Sequence, residues 1–311
     1  MKFKNTVINF HVIKNSDWME RIFILLKKHY NFVSLSQLEN FYFRGLELKN
    51  ACHITVDDGD LSVYTHLFPL VKKYKIPISI YVSPLCVKTD SNFWFQEIVG
   101  YDFQKLFEFY SKIYGSTLRF EGRHQLYAVL KQLPIKDLIN LIDAFRLSQG
   151  IEPKPRMGLN LEQLLELKAS GLVEIGAHTY NHPILANEDM NTVVFEIKDC
   201  ILELEDMIGE KVKWFAYPNG VPTLDFSNRE MELLKECGIR LAFSTENKRF
   251  SMEDNPLSIP RTGISKGNLS FIYLKLLFGS GWDILKELFN SNKEIKIRKK
   301  YFQKGKRLNL S

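Results

Sequence analysis

The sequence predicts an α/β fold, a parallel barrel or open sheet carrying one helical insertion. Short apolar, β-branched runs alternate with helical patterns through residues 52–82 and again through residues 161–244. Between those stretches, residues 95–155 hold helical patterns and no strong strand. Two of the apolar runs break abruptly into polar residues, and parallel α/β folds collect their chemistry at the C-terminal ends of strands. The chain has 311 residues, 45% of them hydrophobic, enough for one large core.

Each element has its own justification. Thr6–Phe10 is β-branched and aromatic and reads as a first strand ending at His11. Ile22, Leu25, Leu26 and His29 recur at helical spacing, which predicts a helix over Trp18–Tyr30. Phe32–Leu35 reads as a short extended piece, with Ser34 or Ser36 capping the next helix. Cys52–Val56 reads as a buried strand, Thr65–Tyr74 as a helix and Pro77–Val82 as a strand, together a βαβ rhythm. Leu106–Tyr114, His124–Leu133 and Ile135–Leu147 form the helical insertion. Leu161–Ser170 is a helix closed by Gly171 and followed by the strand Val173–Gly176. Met190–Ile208 is a long amphipathic helix ended by Gly209, and Val212–Ala216 is the next strand. Asn228–Cys237, capped by Gly238, leads into the strand Arg240–Ser244.

Charge and cysteine usage narrow the class. The net charge is +6, but Lys293, Lys296, Arg298, Lys299, Lys300, Lys304, Lys306 and Arg307 against Glu294 give residues 293–307 a net +7. The remainder is close to neutral, so no nucleic-acid role is expected. The basic segment reads either as a solvated end or as a contact for an anionic membrane face, the latter supported by the apolar material at Phe271–Phe278 and Trp282–Phe289. Cys52, Cys86, Cys200 and Cys237 are scattered and form no CxxC pair, which fits reduced thiols. No secretory signal pattern is seen, and no run approaches the ~18–20 apolar residues of a spanning helix. A cytoplasmic protein is expected, at the inner membrane face if the basic segment binds there.

The chemistry concentrates at two breaks. In His53-Ile54-Thr55-Val56-Asp57-Asp58-Gly59 a strand ends in two carboxylates and a glycine, which is either a turn or N-cap pair or the start of a site. If the backbone turns there, one carboxylate can meet a metal while its neighbour faces the metal's water. In Ile175-Gly176-Ala177-His178-Thr179-Tyr180-Asn181-His182-Pro183 two histidines stand four apart. Pro183 disfavours helical geometry, so the pair belongs to a loop. Asp58, His178 and His182 together supply three ligands and leave positions open, the pattern of a catalytic metal site. The oxygen and nitrogen donors suit Zn²⁺, with Co²⁺, Ni²⁺ and Mn²⁺ also compatible. The aromatic run Asn92–Gln96 reads as packing or as a sugar-stacking rim, and His53 and His66 read as structural.

These runs resemble the motifs of the polysaccharide deacetylase family, the NodB-homology carbohydrate esterases. Ile54–Gly59 resembles the "TFDDG" motif, and His178–Pro183 the second, histidine-bearing motif. Phe215-Ala216-Tyr217-Pro218-Asn219-Gly220 resembles the third motif in its "FAYPxG" form, and Ile259-Pro260-Arg261 a late motif of the same subgroup. The resemblance covers roughly residues 5–265 in the family's order. It implies a distorted (β/α)7-type barrel over residues 1–290, with the insertion at about 95–155 and a basic C-terminal tail at 291–311.

The resemblance also implies roles. Asp57 would be the general base, and Asp58, His178 and His182 the metal ligands. The backbone N–H of Asn219, in the slot usually held by tyrosine, would help bind the oxyanion. Many members carry an arginine two residues before the motif-three proline, oriented on the catalytic aspartate. Here that position is Ala216, and Arg261 is the expected substitute. No histidine follows His182, so His11, in the Phe10-His11 pair, is the expected general acid. The implied activity is metal-dependent removal of an N-acetyl or N-formyl group from an amino sugar in a glycan or lipid-linked precursor. An O-acyl carbohydrate esterase and an inactive glycan-binding module are the alternatives.

Overall fold

The computed structural model describes residues 3–264, 267–279 and 293–308, with 302–308 described by backbone alone. Among the described residues, eight strands form one parallel sheet: β1 (Thr6–Phe10), β2 (Asn31–Phe32), β3 (Ala51–Val56), β4 (Ile78–Val82), β5 (Val173–Ala177), β6 (Trp214–Ala216), β7 (Leu241–Phe243) and β8 (Thr262–Gly263). The order is β7-β6-β5-β4-β3-β1-β8, with β2 paired on β3. The sheet curls because one segment serves both of its ends. Ile259 bridges Phe243, while Thr262 and Gly263 pair with Ile8 and Asn9. This is the parallel (β/α)7-type barrel architecture that the sequence predicts.

Strand residues divide by parity, as a two-residue side-chain period requires. Ile8, Phe10, Ile54, Val56, Ile78, Ile80, Val82 and Ile175 pack with helix residues such as Ile22, Phe23, Leu26 and Val71. The alternate positions carry a second, smaller cluster that includes Val7, Tyr81, Trp214 and Phe243. They also carry polar groups that bond to one another. His53 Nδ1 donates to the Val33 carbonyl at 2.7 Å, and His53 Nε2 lies 2.8 Å from Ser79 Oγ, itself 3.1 Å from the Tyr81 hydroxyl. Gly176 is register partner to Tyr81, and a Cβ there would stand 2.5 Å from the Tyr81 ring. The strand is therefore glycine where the aromatic ring crosses it.

Helix ends follow their caps. Ser34 opens the helix Leu35–Arg44 with a capping box through Gln37, and Asn160 and Ser227 do the same for Leu161–Ala169 and Asn228–Glu236. Gly209 takes the left-handed conformation that closes the helical run 190–208. Within that run, Phe195–Asp199 is a π-helical turn.

Two compact units are present, residues 1–91 with 157–283 and residues 92–156 with 284–311. In the second, the helices Phe103–Tyr114, Arg123–Leu130 and Ile135–Ser148 share an apolar core that includes Trp94, Leu106, Leu126 and Phe145. Trp94 is buried, so this member of the Asn92–Gln96 run packs inside the unit. The segment read as a basic tail also differs from expectation, because Lys293–Leu308 is a helix of the same unit. It contacts Arg123–Leu130, with Arg298 buried and Lys131 paired to Glu294 at 2.6 Å. Tyr301 packs against the apolar core of the unit, and Ile295 and Ile297 are half-buried. The Trp282–Phe289 run lies outside the described residues. Among the described residues no helix is long and apolar enough to cross a membrane.

Candidate active site

β3 delivers the first two functional side chains. It ends at Val56, and the backbone turns at Asp58 (φ 68°) and Gly59 (φ 59°). A Cβ at Gly59 would stand 2.9 Å from Val82 Cγ1, so both conformation and space call for glycine. The turn separates the two carboxylates, which an extended strand would send to opposite faces.

Asp57 is buried and gripped by a buried arginine. Arg261 Nη1 donates to Oδ1 at 2.7 Å and Nη2 to Oδ2 at 2.8 Å, a two-point fork. The fork is itself fixed, because Arg261 Nε donates to the Ser244 carbonyl at 2.9 Å and Nη1 also reaches Thr55 Oγ1 at 3.1 Å. Its guanidinium lies between the Tyr81 and Phe243 rings, 5.9 and 5.8 Å from their centroids. Arg261 thus occupies the place beside the aspartate that Ala216 leaves without a charge. Burial pushes the Asp57 carboxyl up, but the Arg261 charge, and behind it His178, reverses this and holds it below the usual carboxylate range. His11, just beyond β1, places Nε2 3.9 Å from Asp57 Oδ2 and keeps 49% of its side chain exposed, open to a bound molecule.

Asp58 faces the histidines. Its Oδ1 is buried and accepts no hydrogen bond among the described residues, with His178 Nε2 and His182 Nε2 at 3.4 and 3.5 Å. The three donor atoms lie within 4.8 Å of one another. Ligands about 2.0–2.1 Å from a tetrahedral zinc ion stand roughly 3.3 Å apart, so the two Asp58–imidazole spacings fit such an ion. The tautomer fits as well. His178 Nδ1 donates to the Ala216 carbonyl at 2.7 Å, which leaves Nε2 as the ligand atom. Burial lowers the His178 pKa, but Asp58 and Asp57 outweigh burial and raise it, as expected where carboxylates await a positive charge.

The histidine loop is strained and tied down. Thr179 (φ 64°) and His182 (φ 58°) are both left-handed. Thr179 Oγ1 accepts from the His182 N–H at 3.1 Å. Glu196, fully buried in the π-helical turn, takes the Tyr180 and Asn181 N–H groups on Oε2 at 2.9 and 2.8 Å and Asn181 Nδ2 on Oε1 at 2.7 Å. Asn219 (φ 57°) is also left-handed, three positions beyond the Ala216 carbonyl that holds His178, and its own carbonyl accepts from Thr245 Oγ1 at 2.6 Å.

His11, Asp57, Asp58, His178, His182 and Asn219 therefore stand just beyond the C-terminal ends of β1, β3, β5 and β6, while Arg261 comes from the segment that leads into β8. Asp57 meets Arg261 and His11, and Asp58 meets His178 and His182. Sequence reading missed Asn9, which donates to Asp57 Oδ2 at 3.0 Å, and Thr55, Ser244 and Glu196. A signal for two of them was available. Asn9 and His11 stand two apart along β1, and Thr55 and Asp57 two apart along β3, so each polar pair shares a face. His53 and His66 have structural partners, His66 Nδ1 lying 3.4 Å from Ser16 Oγ.

The curled parallel barrel, with an Asp-His-His donor set and a fork-held aspartate at its strand ends, has the fold of the polysaccharide deacetylases. Residues 121–242 match the family model described as polysaccharide deacetylase, in agreement with the resemblance drawn from the motifs within that stretch. That match takes in His178, His182 and Phe215–Gly220, while Asp57, Asp58 and Arg261 lie outside it. The chain is 21% identical over 249 residues to poly-β-1,6-N-acetyl-D-glucosamine N-deacetylase of Staphylococcus aureus (strain MRSA252). The alignment covers 77% of this chain and 63% of that protein. Among solved structures, IcaB from Ammonifex degensii superposes with a TM-score of 0.58 at 21% identity, covering 88% of this chain and 97% of that one. The de-N-acetylase from Aggregatibacter actinomycetemcomitans gives 0.59 at 16%, covering 87% and 98%. Streptococcus pyogenes deacetylase PplD, solved with acetate, gives 0.57 at 17%, covering 85% and 94%.

Proposed function

We propose that the protein is a metal-dependent hydrolase that removes an N-acyl group, acetyl or formyl, from an amino sugar in a glycan or lipid-linked glycan precursor. The observation that carries this reading is the pairing of two differently treated carboxylates. Asp57 is gripped by a guanidinium fork, and its neighbour Asp58 is left facing two imidazoles. The name of one similar protein, poly-β-1,6-N-acetyl-D-glucosamine N-deacetylase, supports a glycan as the substrate.

Asp58, His178 and His182 would hold the ion. When bound, a divalent metal supplies Lewis-acid charge that brings the pKa of a coordinated water toward neutrality. Asp57 takes the proton of the attacking water, and Arg261 keeps its carboxylate ionised and aimed. The Asn219 backbone N–H donates to the oxygen that gains charge as the acyl carbon becomes tetrahedral. His11 gives a proton to the departing amine. An amide needs that proton more than an ester does, so His11→Ala should lower N-deacylation far more than O-deacylation. The exposed lysines of the Lys293–Leu308 helix, Lys293, Lys296, Lys299 and Lys300, support the further proposal that this unit meets an anionic membrane face from the cytoplasmic side.

The test is a panel of N-acetyl, N-formyl and O-acetyl sugars and oligosaccharides offered to metal-loaded protein, with acetate and formate measured. Release from an N-acyl substrate that is lost in His11→Ala supports the reading. Release only from O-acyl sugars, insensitive to His11, would replace it with an esterase. Metal bound without release from any substrate would favour a glycan-binding module.

A further inference from the structure

Four buried side chains, the proposed base Asp57 among them, close a ring. Asn9 Nδ2 donates to Asp57 Oδ2 at 3.0 Å, and Arg261 bridges Asp57 Oδ1 to Thr55 Oγ1 at 2.7 and 3.1 Å. Thr55 closes the circuit, its hydroxyl lying 3.2 Å from Asn9 Oδ1 and 3.0 Å from the Ile8 carbonyl. The register of β1 on β3 sets Asn9 beside Thr55, so the circuit is built by the sheet and requires no loop. The amide orientation follows from the same contacts, because a flipped Asn9 would turn its oxygen toward the Asp57 carboxylate.

The geometry points to Asn9 as a positioning residue that fixes which oxygen of Asp57 receives the proton, an inference that rests on the hydrolase reading above. A carboxylate oxygen offers two in-plane lone pairs. On Oδ2 both are engaged, one by Arg261 Nη2 and one by Asn9 Nδ2. On Oδ1 a single donor is present among the described residues, Arg261 Nη1. The attacking water therefore gives its proton to Oδ1. The water's O–H bond breaks, its electron pair stays on the water oxygen, and the new O–H bond forms on Oδ1. Arg261 alone holds both oxygens alike, and Asn9 makes the two ends of the carboxylate unequal.

The position carries a recognisable sequence signature. β1 reads Thr6-Val7-Ile8-Asn9-Phe10, and Asn9 is a carboxamide near the C-terminal end of a fully buried strand. A buried amide there requires partners on both its ends, and the catalytic carboxylate is one of them.

The experiment compares wild type, Asn9→Leu and the less demanding Asn9→Ser, each in the Asp57 and the Asp57→Asn background. Substrates are an N-acetylated β-1,6-glucosamine oligomer and 4-nitrophenyl acetate, whose hydrolysis requires the base but no sugar. With Asp57 present, kcat should fall roughly 10- to 100-fold, with KM and metal content unchanged. In the Asp57→Asn background the Asn9 substitution should change the residual rate by less than about 2-fold, since residues acting through one group do not add. Equal losses in both backgrounds, or wild-type kcat in both Asn9 variants, would overturn the proposal. If the oligomer is not cleaved but the ester shows this non-additivity, the role of Asn9 stands and the glycan reading falls.

Discussion

Replacing Arg261 by methionine removes the only guanidinium that reaches Asp57 among the described residues and leaves that carboxylate buried. Methionine is long and flexible enough to fill the space between the Tyr81 and Phe243 rings, so the main loss is electrostatic. Four hydrogen bonds disappear, two to Asp57, one to Thr55 and one to the Ser244 carbonyl. Removing one partner of a buried pair costs about 3–5 kcal/mol. At roughly 2–4 °C per kcal/mol for chains of 150–250 residues, Tm at pH 7.5 should fall by on the order of 10 °C. The loss should also depend on pH. With Arg261 gone, burial is less opposed and lifts the Asp57 carboxyl above its unfolded value, so the folded state binds the extra proton. Stability of the variant relative to wild type then recovers as pH falls and worsens as it rises. The assay is thermal unfolding of wild type, Arg261→Met, Asp57→Asn and the double variant between pH 5 and pH 8. In the double variant most of the loss should be recovered, because no buried charge is left without its partner. Strict additivity, or an Arg261→Met deficit independent of pH, would refute the reasoning.

Other consequences follow from the same contacts. Glu196→Ala frees the loop that carries both histidines, and metal affinity, measured by competition with a chelating dye, should weaken about 10- to 100-fold. An unchanged affinity would mean that the loop is set by its backbone alone. His53 is held neutral in the barrel, with its pKa lowered to about 4 chiefly by burial. The unfolded imidazole binds a proton below about 6.5, so His53 costs no stability above that pH. As pH falls from 6.5 to 4, stability is lost by about 3 kcal/mol. His53→Gln should flatten that slope in denaturant titrations, and an equally steep slope would assign it to other groups. Deleting residues 291–311 should weaken binding to anionic liposomes, and unchanged partitioning would remove the membrane proposal.

The parts of the site that were legible in the sequence were local ones. Asp57-Asp58-Gly59 and the His178/His182 pair each lie within a few residues of a strand end, where a period change and a proline or glycine betray the turn. Arg261 stands 204 positions from Asp57. Its role could be anticipated only because Ala216 left a charge unaccounted for. Glu196 was hidden because one acid on an amphipathic helix looks solvated. Only the packing shows that it lies buried beside the histidine loop. The helix Lys293–Leu308 was misleading for a related reason. Its charge suggested a tail, but Tyr301 packs against the apolar core of the insertion's unit and Arg298 is buried. Asn9 marks the opposite case, since a carboxamide on the same face as His11 was visible and its meaning waited on the register of β1 with β3.

Titrating zinc back into chelator-stripped protein, with acetate release from an N-acetylated β-1,6-glucosamine oligomer followed at each addition, tests the central claim most directly. Activity should be absent without metal and reach its plateau at one equivalent. Asp57→Asn should bind the same equivalent and stay inactive, while Asp58→Ala should fail to bind it. Acetate release by the stripped protein, or full activity in Asp57→Asn, would contradict the division of labour between the two aspartates.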